Sequence, residues 1–329
     1  MYWSNYLSFL KIFNAFKIFT SYIVTLVFKR VVVWGKPLSL TVEPTNYCNL
    51  HCPECPTGNN STQRKKGYLN VQDYKKIVDS ASPWLFYHMV YFQGEPFLHP
   101  HIFEMLQYAH QKKIYTCTST NGHYISNANA QKIIESGLNK IIISVDGITQ
   151  DTYEKYRQGG ELEKVITGIK ILSELKRKYQ TKNPQIIIQF LVFRFNEHQI
   201  KEIKSFGKTI GANKVEIKTA QIEPAYNKLY LLPQNRKYSR YTWTNNQIII
   251  KNPLKNRCFR IWSTLVITWD GKVIPCCFDK DANYCMGHIH KKNLRQIWQS
   301  AEFKAFRYKI IKNRKSIKMC NNCTSGLRI

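Results

Sequence analysis

The feature that most constrains the fold of this chain is a repeated alternation of short apolar runs and amphipathic segments, which starts at residue 38. The short runs are typical of strands, and the amphipathic segments are typical of helices. The predicted strands are Leu38–Glu43, Tyr87–Phe92, Tyr115–Ser119, Lys140–Val145, Gln185–Phe193 and Lys214–Lys218. The predicted helices are Asn70–Ser80, His101–Lys112, Asn127–Ser136, Leu162–Tyr179 and Glu197–Phe206. This alternation predicts an α/β fold with a parallel sheet, in which functional residues gather at the carboxyl ends of the strands.

Three cysteines lie just after the first predicted strand. Cys48, Cys52 and Cys55 stand at positions i, i+4 and i+7. Three thiolates cannot complete a four-coordinate structural zinc site by themselves. They can hold three irons of a [4Fe–4S] cube and leave the fourth iron open for a small molecule. The alternative is half of a zinc site that distant residues complete, such as His51 or the C-terminal cysteines.

Polar motifs also follow three later strands. They are Gln93-Gly94-Glu95-Pro96 after the second strand, Ser119-Thr120-Asn121-Gly122 after the third, and Ser144-Val145-Asp146-Gly147 after the fourth. A glycine allows the backbone to approach a ligand closely, and a neighbouring carbonyl or carboxylate can accept hydrogen bonds from an ammonium group. The alternative is that the Asn-Gly and Asp-Gly pairs are ordinary turns.

Two further polar residues belong to the same predicted sheet region. Arg157 stands in the motif Tyr156-Arg157-x-Gly159-Gly160, and its planar guanidinium suits a carboxylate. Gln189, on the fifth strand, could bond a ribose hydroxyl. Taken singly, Arg157 could be a solvated surface charge and Gln189 a satisfied interior amide. Their joint occurrence near successive strand ends favours one ligand site.

A second group of cysteines occupies the C-terminal part of the chain. Cys258 precedes the runs Ile261–Thr268 and Lys272–Cys276, which an Asp270-Gly271 pair separates, so a β-hairpin with a type I′ turn is predicted. A helix is predicted over Leu294–Lys309, and Cys320 and Cys323 follow it. Four thiolates suffice for a second, fully ligated [4Fe–4S] cluster, although such a set also binds zinc.

Three cysteines remain outside these sets. Cys277 follows Cys276 directly, so on a strand the two side chains point to opposite faces. Cys277 is the chief rival to Cys276 as a ligand. Cys285 is surplus to one cluster, and Cys117, on the third predicted strand, is expected in the core.

The motifs together resemble the radical S-adenosylmethionine (SAM) superfamily. The CxxxCxxC loop resembles its cluster loop, and the Gln93–Pro96 motif resembles the GGEP motif that holds the methionine amine of SAM, with Gln93 replacing the first glycine. Arg157 is similar to the arginine that pairs with the SAM carboxylate. The cofactor-binding set that the resemblance implies is Gly94, Glu95, Pro96, Ser119, Asn121, Ser144, Asp146, Arg157 and Gln189. The Cys258-x12-Gly271-x4-Cys276 hairpin with its later CxxC resembles the auxiliary-cluster domain called SPASM or, in its short form, twitch.

This resemblance implies a partial (β/α)6 barrel followed by a small α+β iron–sulfur domain made of a β-hairpin and a helix. The implied segments are an apolar helical segment 1–37, the barrel 38–223, a bridge 224–257 and the auxiliary domain 258–329. The implied cofactors are SAM, a [4Fe–4S] cluster on Cys48, Cys52 and Cys55, and an auxiliary [4Fe–4S] cluster on Cys258, Cys276, Cys320 and Cys323. In this chemistry the reduced first cluster cleaves SAM, the 5′-deoxyadenosyl radical takes a hydrogen atom from the substrate, and the auxiliary cluster transfers an electron.

Residues 1–35 are aromatic and aliphatic, with charges only at Lys11, Lys17, Lys29 and Arg30. The longest uncharged run flanked by charges, Ile18–Phe28, is shorter than the roughly 20 apolar residues of a spanning helix. We expect the segment to pack against the barrel as a helix. The alternative is a peripheral membrane contact through residues 1–34.

The chain carries 49 Lys+Arg against 21 Asp+Glu, a net charge of +28. The electric field of this net positive charge attracts polyanions or an anionic membrane, although the lysines are spread along the whole chain. The ten cysteines are clustered, and no cleavable signal is evident, so reduced thiols and a cytoplasmic location are expected, with membrane association as the alternative.

The substrate stays open between hypotheses. One is oxidative modification of a peptide by a maturase-type enzyme, and the basic charge would suit an acidic leader. Another is dehydrogenation of a small alcohol or sugar-like molecule. A third is a non-catalytic iron–sulfur or zinc protein that binds nucleic acid, against which the SAM-pocket motifs argue. The expected partners are the substrate and an electron donor such as flavodoxin or ferredoxin, with no specific nucleic acid.

Overall fold

The computed structural model describes residues 6–223, 228–244 and 247–324 of the 329-residue chain. The strands are β1 (Ser39–Val42), β2 (Tyr87–Met89), β3 (Tyr115–Thr120), β4 (Lys140–Ser144), β5 (Gln185–Val192), β6 (Lys214–Thr219), β7 (Tyr241–Thr244), β8 (Gln247–Ile250), β9 (Thr264–Ile267), β10 (Lys272–Ile274) and β11 (Gly287–His288). The helices are α1 (Phe9–Phe28), α2 (Val71–Ala81), α3 (Ile102–Gln111), α4 (Asn127–Glu135), α5 (Gln150–Glu154), α6 (Leu162–Lys178), α7 (Glu202–Thr209), α8 (Arg260–Ser263), α9 (Leu294–Trp298) and α10 (Ala301–Asn313).

The chain divides into two compact units, and the first contains the described residues of Met1–Asn46, Thr62–Cys117 and Leu254–Asn321. Its strand order is β11-β10-β9-β1-β2-β3. Strand β1 pairs in parallel with both β2 and β9, so Leu40 lies opposite His88 on one side and Leu265 on the other. Strand β3 continues the parallel pairing beyond β2, whereas β10 and β11 add antiparallel strands beside β9. Because strands with parallel neighbours are covered on both faces, Leu40, Thr41 and Val42 are all buried.

The second unit contains the described residues of Tyr47–Ser61, Thr118–Pro253 and Asn322–Ile329. Strands β4, β5 and β6 run parallel in that order. Helix α6 buries one apolar face through Val165, Ile169 and Leu172. Strands β7 and β8 form a separate antiparallel hairpin within the segment 224–257.

The six strands predicted before residue 220 all occur, with ends within three residues of the predicted ones. Asn70, the first residue of the predicted helix, is the N-cap of α2, and its side chain accepts hydrogen bonds from the backbone N–H groups of Gln72 and Asp73. The predicted helix Glu197–Phe206 is wrong in its first half, where Glu197–Ile200 forms a 3-10 turn before α7 begins. The parallel pairing inside each unit confirms the α/β prediction.

The C-terminal hairpin differs from the prediction in two ways. Residues 260–263 form the short helix α8, so the first strand is Thr264–Ile267 instead of Ile261–Thr268. The turn is not type I′, because only Gly271 of its central pair has a positive φ, of 84°. Hydrogen bonds from Gly271 N to Thr268 O and from Thr268 N to Lys272 O close a longer loop. The left-handed backbone at this position requires glycine, so the Asp270-Gly271 pair correctly predicted a turn but not its type.

The predicted helix Leu294–Lys309 is two helices, α9 and α10. The break falls at Ser300, whose hydroxyl accepts a hydrogen bond from Phe303 N and so caps α10. Asn293 and Gln296 form a reciprocal capping box at the start of α9. Ser300 therefore marks the beginning of a second helix, although it lies inside an amphipathic pattern.

Helix α1 is the predicted N-terminal helix, and it packs against the first unit as expected. By length and composition alone it is also long and apolar enough to cross a membrane. Its packing face is largely polar, since the buried residues are Lys11, Asn14, Ser21 and Thr25 together with Ile18 and Tyr22.

Candidate functional site

The three cysteines of the CxxxCxxC motif lie together in a tight loop of the second unit. Cys55 N donates to Cys52 O at 3.1 Å, and Asn59 N donates to Cys55 O at 2.9 Å. A Cβ placed on Gly58 would lie 2.6 Å from Cys52 N, so only glycine allows the loop to close on itself there. The Cys52 thiol is buried, whereas Cys48 and Cys55 are partly exposed.

Asn121 supports this loop from the carboxyl end of β3. Its Nδ2 donates to Asn49 Oδ1 at 2.8 Å and lies 4.0 Å from Cys48 Sγ. Its Oδ1 accepts from the backbone N and the ring Nδ1 of His123, at 3.1 and 3.0 Å. His123 Nε2 in turn accepts from Glu161 N at 2.9 Å. The amide of Asn121 is therefore held in one orientation, with its N–H groups toward the cysteine loop.

Arg157 and Asp146 form a buried ion pair beside the same loop. Arg157 Nε donates to Asp146 Oδ2 at 2.6 Å, and Arg157 Nη1 donates to Cys52 Sγ at 3.7 Å. Asp146 Oδ1 also accepts from Leu191 N at 2.6 Å. Burial opposes the charge of Arg157, but Asp146 and Cys52 outweigh it, so the pKa of Arg157 is raised and the guanidinium stays charged. Asp146 thus orients Arg157, a role that its motif did not indicate.

Burial raises the pKa of the Cys52 thiol, and the neighbouring Arg157 acts against that rise. An apolar cluster that includes Leu50, Tyr156 and Phe193 surrounds Cys52, and Cys48 and Cys55 pack against its edge. The rings of Tyr156 and Phe193 are tilted with centroids 4.5 Å apart. The loop thus combines a dry environment with N–H donors aimed at two of its sulfurs.

Two backbone connections and one ion pair hold the loop in place, and none of them was predicted from the sequence. His51 N donates to Gln158 O at 3.0 Å. Glu54 forms an ion pair with Lys228 and accepts from Glu223 N at 3.0 Å. These partners are more than 100 residues from the loop along the chain, so no local pattern announces them.

The other predicted cofactor-binding residues lie at strand ends in both units. In the second unit, Ser144 and Gln189 are register partners on β4 and β5, and Ser119 lies near the end of β3. In the first unit, Gly94 has a φ of 75°, in the left-handed region, and Pro96 starts a 3-10 turn. The side chain of Glu95 is buried and accepts from Phe97 N at 3.1 Å, so this carboxylate caps the turn.

The predicted auxiliary ligands are all buried thiols. Cys258, Cys276 and Cys320 belong to the first unit and Cys323 to the second. In the first unit, Cys320 N donates to Ile317 O at 2.9 Å. In the second, Asn252 Nδ2 donates to Cys323 O at 2.6 Å. The backbone on both sides of the CxxC is thus fixed by hydrogen bonds.

Cys277, the rival ligand, has a partner of its own. Arg260 Nη1 donates to Cys277 Sγ at 2.9 Å. The Cys276 thiol and then Arg260 lower the pKa of the Cys277 thiol to about 6, against the effect of burial. Cys285, by contrast, is exposed, and its thiol donates to Gly287 O at 3.2 Å.

The donor chemistry fits iron–sulfur clusters. All ten cysteines lie in the described residues and carry free thiols. Within residues 6–223, 228–244 and 247–324, no three His, Cys, Asp or Glu side chains converge so as to share one metal ion. A [4Fe–4S] cube does not need such convergence, because each thiolate binds a different iron. Hydrogen bonds to the sulfurs and a hydrophobic shell, both present around the first loop, are among the features that tune such clusters.

Comparison with protein families agrees with this chemistry. The profile of the Radical SAM superfamily matches residues 42–207, slightly more than half of the chain. The profile of SPASM, an iron-sulfur cluster-binding domain, matches residues 258–324. The two matches coincide with the two cysteine groups.

Two known proteins resemble most of the chain. The tungsten-containing aldehyde ferredoxin oxidoreductase cofactor-modifying protein of Pyrococcus furiosus is 25% identical over 309 residues, which span 83% of this chain and 84% of that protein. The PqqA peptide cyclase of Ruegeria pomeroyi is 23% identical over 296 residues, which span 82% of this chain and 76% of the relative.

Solved structures share the fold. SuiB of Streptococcus suis bound to S-adenosylmethionine superposes with a TM-score of 0.66 at 15% identity, covering 94% of this chain and 76% of that one. SuiB bound to the precursor peptide SuiA gives a TM-score of 0.63 at 15% identity, and the match covers 84% of this chain and 67% of that one. BtrN in complex with AdoMet and 2-DOIA gives a TM-score of 0.55 at 18% identity, and the match covers 88% of this chain and 94% of that one. These likenesses and the parallel α/β architecture confirm the predicted fold class, a partial barrel followed by a SPASM region.

Proposed function

Because this chain belongs to the radical SAM superfamily, we propose that it holds a [4Fe–4S] cluster on Cys48, Cys52 and Cys55 and modifies a peptide oxidatively. The superfamily's [4Fe–4S] cluster and SAM, when bound, supply a 5′-deoxyadenosyl radical that removes a hydrogen atom from the substrate. The observation that carries the proposal is the cysteine loop itself, in which N–H donors from Asn121 and Arg157 face the sulfurs of Cys48 and Cys52.

The predicted cofactor-binding residues would bind and orient SAM. Arg157 is charged and held by Asp146, so it is positioned to receive a carboxylate. Gly94, Glu95 and Pro96 would offer acceptors to the methionine amine. Ser119, Asn121, Ser144 and Gln189 would line the remainder of the pocket, where Gln189 would bond the ribose. The support for this set is its position at strand ends, where parallel α/β folds place ligands.

The auxiliary set would hold a second [4Fe–4S] cluster on Cys258, Cys276, Cys320 and Cys323. With four cysteines as ligands, such a cluster would have no open iron for the substrate and would supply one-electron transfer. Loss of a hydrogen atom followed by loss of one electron gives a net two-electron oxidation of the substrate, which releases one further proton. The first cluster would be reduced by a small electron-transfer protein such as flavodoxin or ferredoxin, and reduced thiols of this kind are expected in the cytoplasm.

A peptide is favoured as the substrate because relatives act on peptides. The similar proteins include a PqqA peptide cyclase and SuiB, which was solved with the precursor peptide SuiA. The net charge of +28 suits an acidic leader segment. A small alcohol or sugar-like substrate that undergoes dehydrogenation is the second candidate, supported by the likeness to BtrN, which was solved with AdoMet and 2-DOIA.

The test begins with anaerobically reconstituted protein. About eight irons per chain are expected for two [4Fe–4S] clusters, and dithionite with SAM should yield 5′-deoxyadenosine. The triple variant Cys48→Ala/Cys52→Ala/Cys55→Ala should retain about four irons and lose this cleavage. The exposed Cys285 offers a matched control, since Cys285→Ala should retain both properties. Undiminished cleavage in the triple variant would refute the assignment, and so would a protein that binds nucleic acid but neither iron nor SAM.

The substrate class is tested by reading the neighbouring open reading frames and by co-expressing the enzyme with any short peptide that they encode. A peptide substrate should lose about two mass units for each new bond, because two hydrogen atoms leave. An unchanged peptide mass, together with oxidation of small alcohols by the same preparation, would refute the peptide substrate and favour the small alcohol or sugar-like substrate.

A further inference from the structure

Helix α1 has its polarity reversed with respect to a packed surface helix. An amphipathic helix ordinarily turns its apolar stripe to the core and its polar face to water. In α1 the residues turned to the outside are large and apolar, with Phe9 exposed at 80%, Phe28 at 72% and Val27 at 65%. The other exposed apolar members of this outer face are Leu10, Ile12, Phe13, Phe16, Phe19 and Ile23. Together they present on the order of 1,000 Å² of apolar surface, more than the largest patch of a typical monomer.

The inner face of α1 is joined to the first unit by polar contacts. Lys11 Nζ donates to Lys113 O and Tyr6 O, both at 3.0 Å. Asn14 and the backbone of Lys36 exchange two hydrogen bonds, of 2.9 and 2.8 Å. Thr25 Oγ1 accepts from Val32 N at 3.0 Å. These bonds fix which face of α1 turns away from the protein.

Aromatic packing fixes the same orientation. The Tyr22 ring lies 5.2 Å from the Phe259 ring and 5.4 Å from the Trp262 ring. Trp262 Nε1 and Trp298 Nε1 donate to Val32 O and Gly35 O, so the segment after α1 is also anchored. The outer face therefore remains apolar and solvent-facing as long as the first unit stays folded.

The charged residues of α1 and of the segment that follows it are all positive. Residues 1–42 contain Lys11, Lys17, Lys29, Arg30 and Lys36 and no Asp or Glu. Burial, then Arg295, then Lys17 lower the pKa of Lys36, so Arg295 and Lys17 are each close enough to Lys36 to disfavour its charge. Lys17 and Lys36 line a groove beside the N-terminal half of α1, together with Trp34 and Trp84.

We propose that the outer face of α1 lies in the surface of a bilayer that contains anionic lipids, with the helix axis in the membrane plane. Its Phe, Ile and Val side chains would enter the boundary between headgroups and acyl chains, as in other interfacial amphipathic helices. The groove between Trp34 and Trp84 would face the headgroups, where tryptophan is enriched. Lys17, Lys36 and Arg295 would neutralise lipid phosphates, each cation near the surface adding to the attraction.

Two other occupants of this face fit the structure less well. A spanning helix would have to pull Lys11, Asn14 and Thr25 out of their bonds and place them in hydrocarbon, where unsatisfied polar groups are costly. A second copy of the chain would bring two positive rims together, because no acidic residue lies within the first 42 residues to pair with them. An anionic surface satisfies both the apolar face and its cations.

The experiment is flotation of the full-length protein with vesicles. One set contains phosphatidylcholine alone, and the other contains about one third phosphatidylglycerol. We expect binding to the anionic vesicles to be more than tenfold stronger, to weaken at high salt, and to be reversed by alkaline carbonate. The double variant Phe16→Glu/Ile23→Glu should reduce vesicle binding more than tenfold, because it introduces acidic side chains into the outer face.

A matched control is the double variant Tyr179→Glu/Tyr308→Glu, which makes the same change of charge at aromatic positions exposed at 47% and 49% elsewhere. It should bind vesicles almost as well as the wild type. Lys17→Gln/Lys29→Gln tests the cations separately and should reduce the preference for anionic vesicles. Both α1 variants should still release 5′-deoxyadenosine from SAM, since α1 contributes no residue to the cysteine loop, and this activity shows that they are folded.

Three results would overturn the proposal. The wild type could remain unbound with anionic vesicles. It could resist carbonate extraction, as a spanning helix does. Light scattering could show a dimer that Phe16→Glu/Ile23→Glu converts to a monomer, which would assign the outer face to a second copy. None of these outcomes bears on SAM cleavage, so the proposed function is tested separately.

Discussion

His88 lies in the middle of the first unit's sheet and has no access to solvent. Its ring Nδ1 is 3.0 Å from Leu40 O, and its Nε2 is 3.0 Å from Tyr74 Oη. A carbonyl can only accept, so Nδ1 carries the proton, and Nε2 accepts from the tyrosine in the neutral ring. Burial lowers the pKa of His88 to about 4, although the bond to Leu40 acts in the opposite direction.

The sign of the resulting pH dependence follows from linkage. The unfolded chain binds a proton at His88 below pH 6.5, whereas the folded chain does so only near pH 4. The contribution of neutral His88 to the free energy of unfolding is therefore complete above about pH 6.5, and it is lost as the pH falls through the folded pKa. The loss amounts to about 2 kcal/mol at pH 5 and about 3 kcal/mol below pH 4.

The assay is urea-induced unfolding under anaerobic conditions, followed by tryptophan fluorescence at about pH 7 and about pH 5. His88→Gln removes the titrating group, so its free energy of unfolding should fall by about 2 kcal/mol less than that of the wild type between the two pH values. His110, which is exposed on α3, provides the control, and His110→Gln should follow the wild type. Equal pH dependence in His88→Gln and the wild type would refute the reasoning.

Three further predictions concern the cysteines, the buried ion pair and α1. Cys276→Ala should lower the iron content from about eight to about four per chain, whereas Cys277→Ala should leave about eight, because a cluster that loses a ligand becomes labile. Arg157→Met leaves the buried Asp146 carboxylate without its cation and should lower the free energy of unfolding in urea by about 3–5 kcal/mol, most of which Asp146→Asn in the same chain should restore. Deleting residues 1–34 removes the cover of the first unit's aromatic residues and should convert the purified protein into aggregates that light scattering detects.

Contrary results are equally specific. An iron loss confined to Cys277→Ala would reverse the ligand assignment at this pair. An Arg157→Met variant as stable as the wild type would show that Asp146 is neutral or solvated. A monodisperse truncated protein that still cleaves SAM and only loses vesicle binding would show that α1 is a membrane anchor without a structural role.

The elements and the cysteine chemistry could be predicted from the sequence because both are local. Strand and helix periods depend on neighbours a few residues apart, so the six early strands were found with small errors. The errors fell where one polar residue changes the backbone, as at Ser300, which starts α10 inside an apparently continuous helix. The strand prediction at positions 261–263 is wrong because an apolar run does not distinguish a strand from a short helix.

The surroundings of the cysteine loop could not be predicted, because they depend on contacts between distant residues. Asn49 and Asn121 are 72 positions apart, and Glu54 and Lys228 are 174 apart. Asp146 was predicted as a cofactor residue from its motif alone, and the motif did not indicate that its carboxylate accepts hydrogen bonds from Arg157 and from Leu191 N. Only the folded chain shows which polar side chains orient others.

Helix α1 separates the two kinds of information most clearly. The sequence by itself predicted an apolar helical segment with few cations over residues 1–37, because composition is a property of neighbouring residues. The helix that forms there is Phe9–Phe28. Which face meets the protein was decided only by the tertiary structure, where Lys113, Lys36 and Val32 offer backbone partners to Lys11, Asn14 and Thr25. Buried polar groups must find partners, and apolar groups can be left outside at a cost that another surface can relieve.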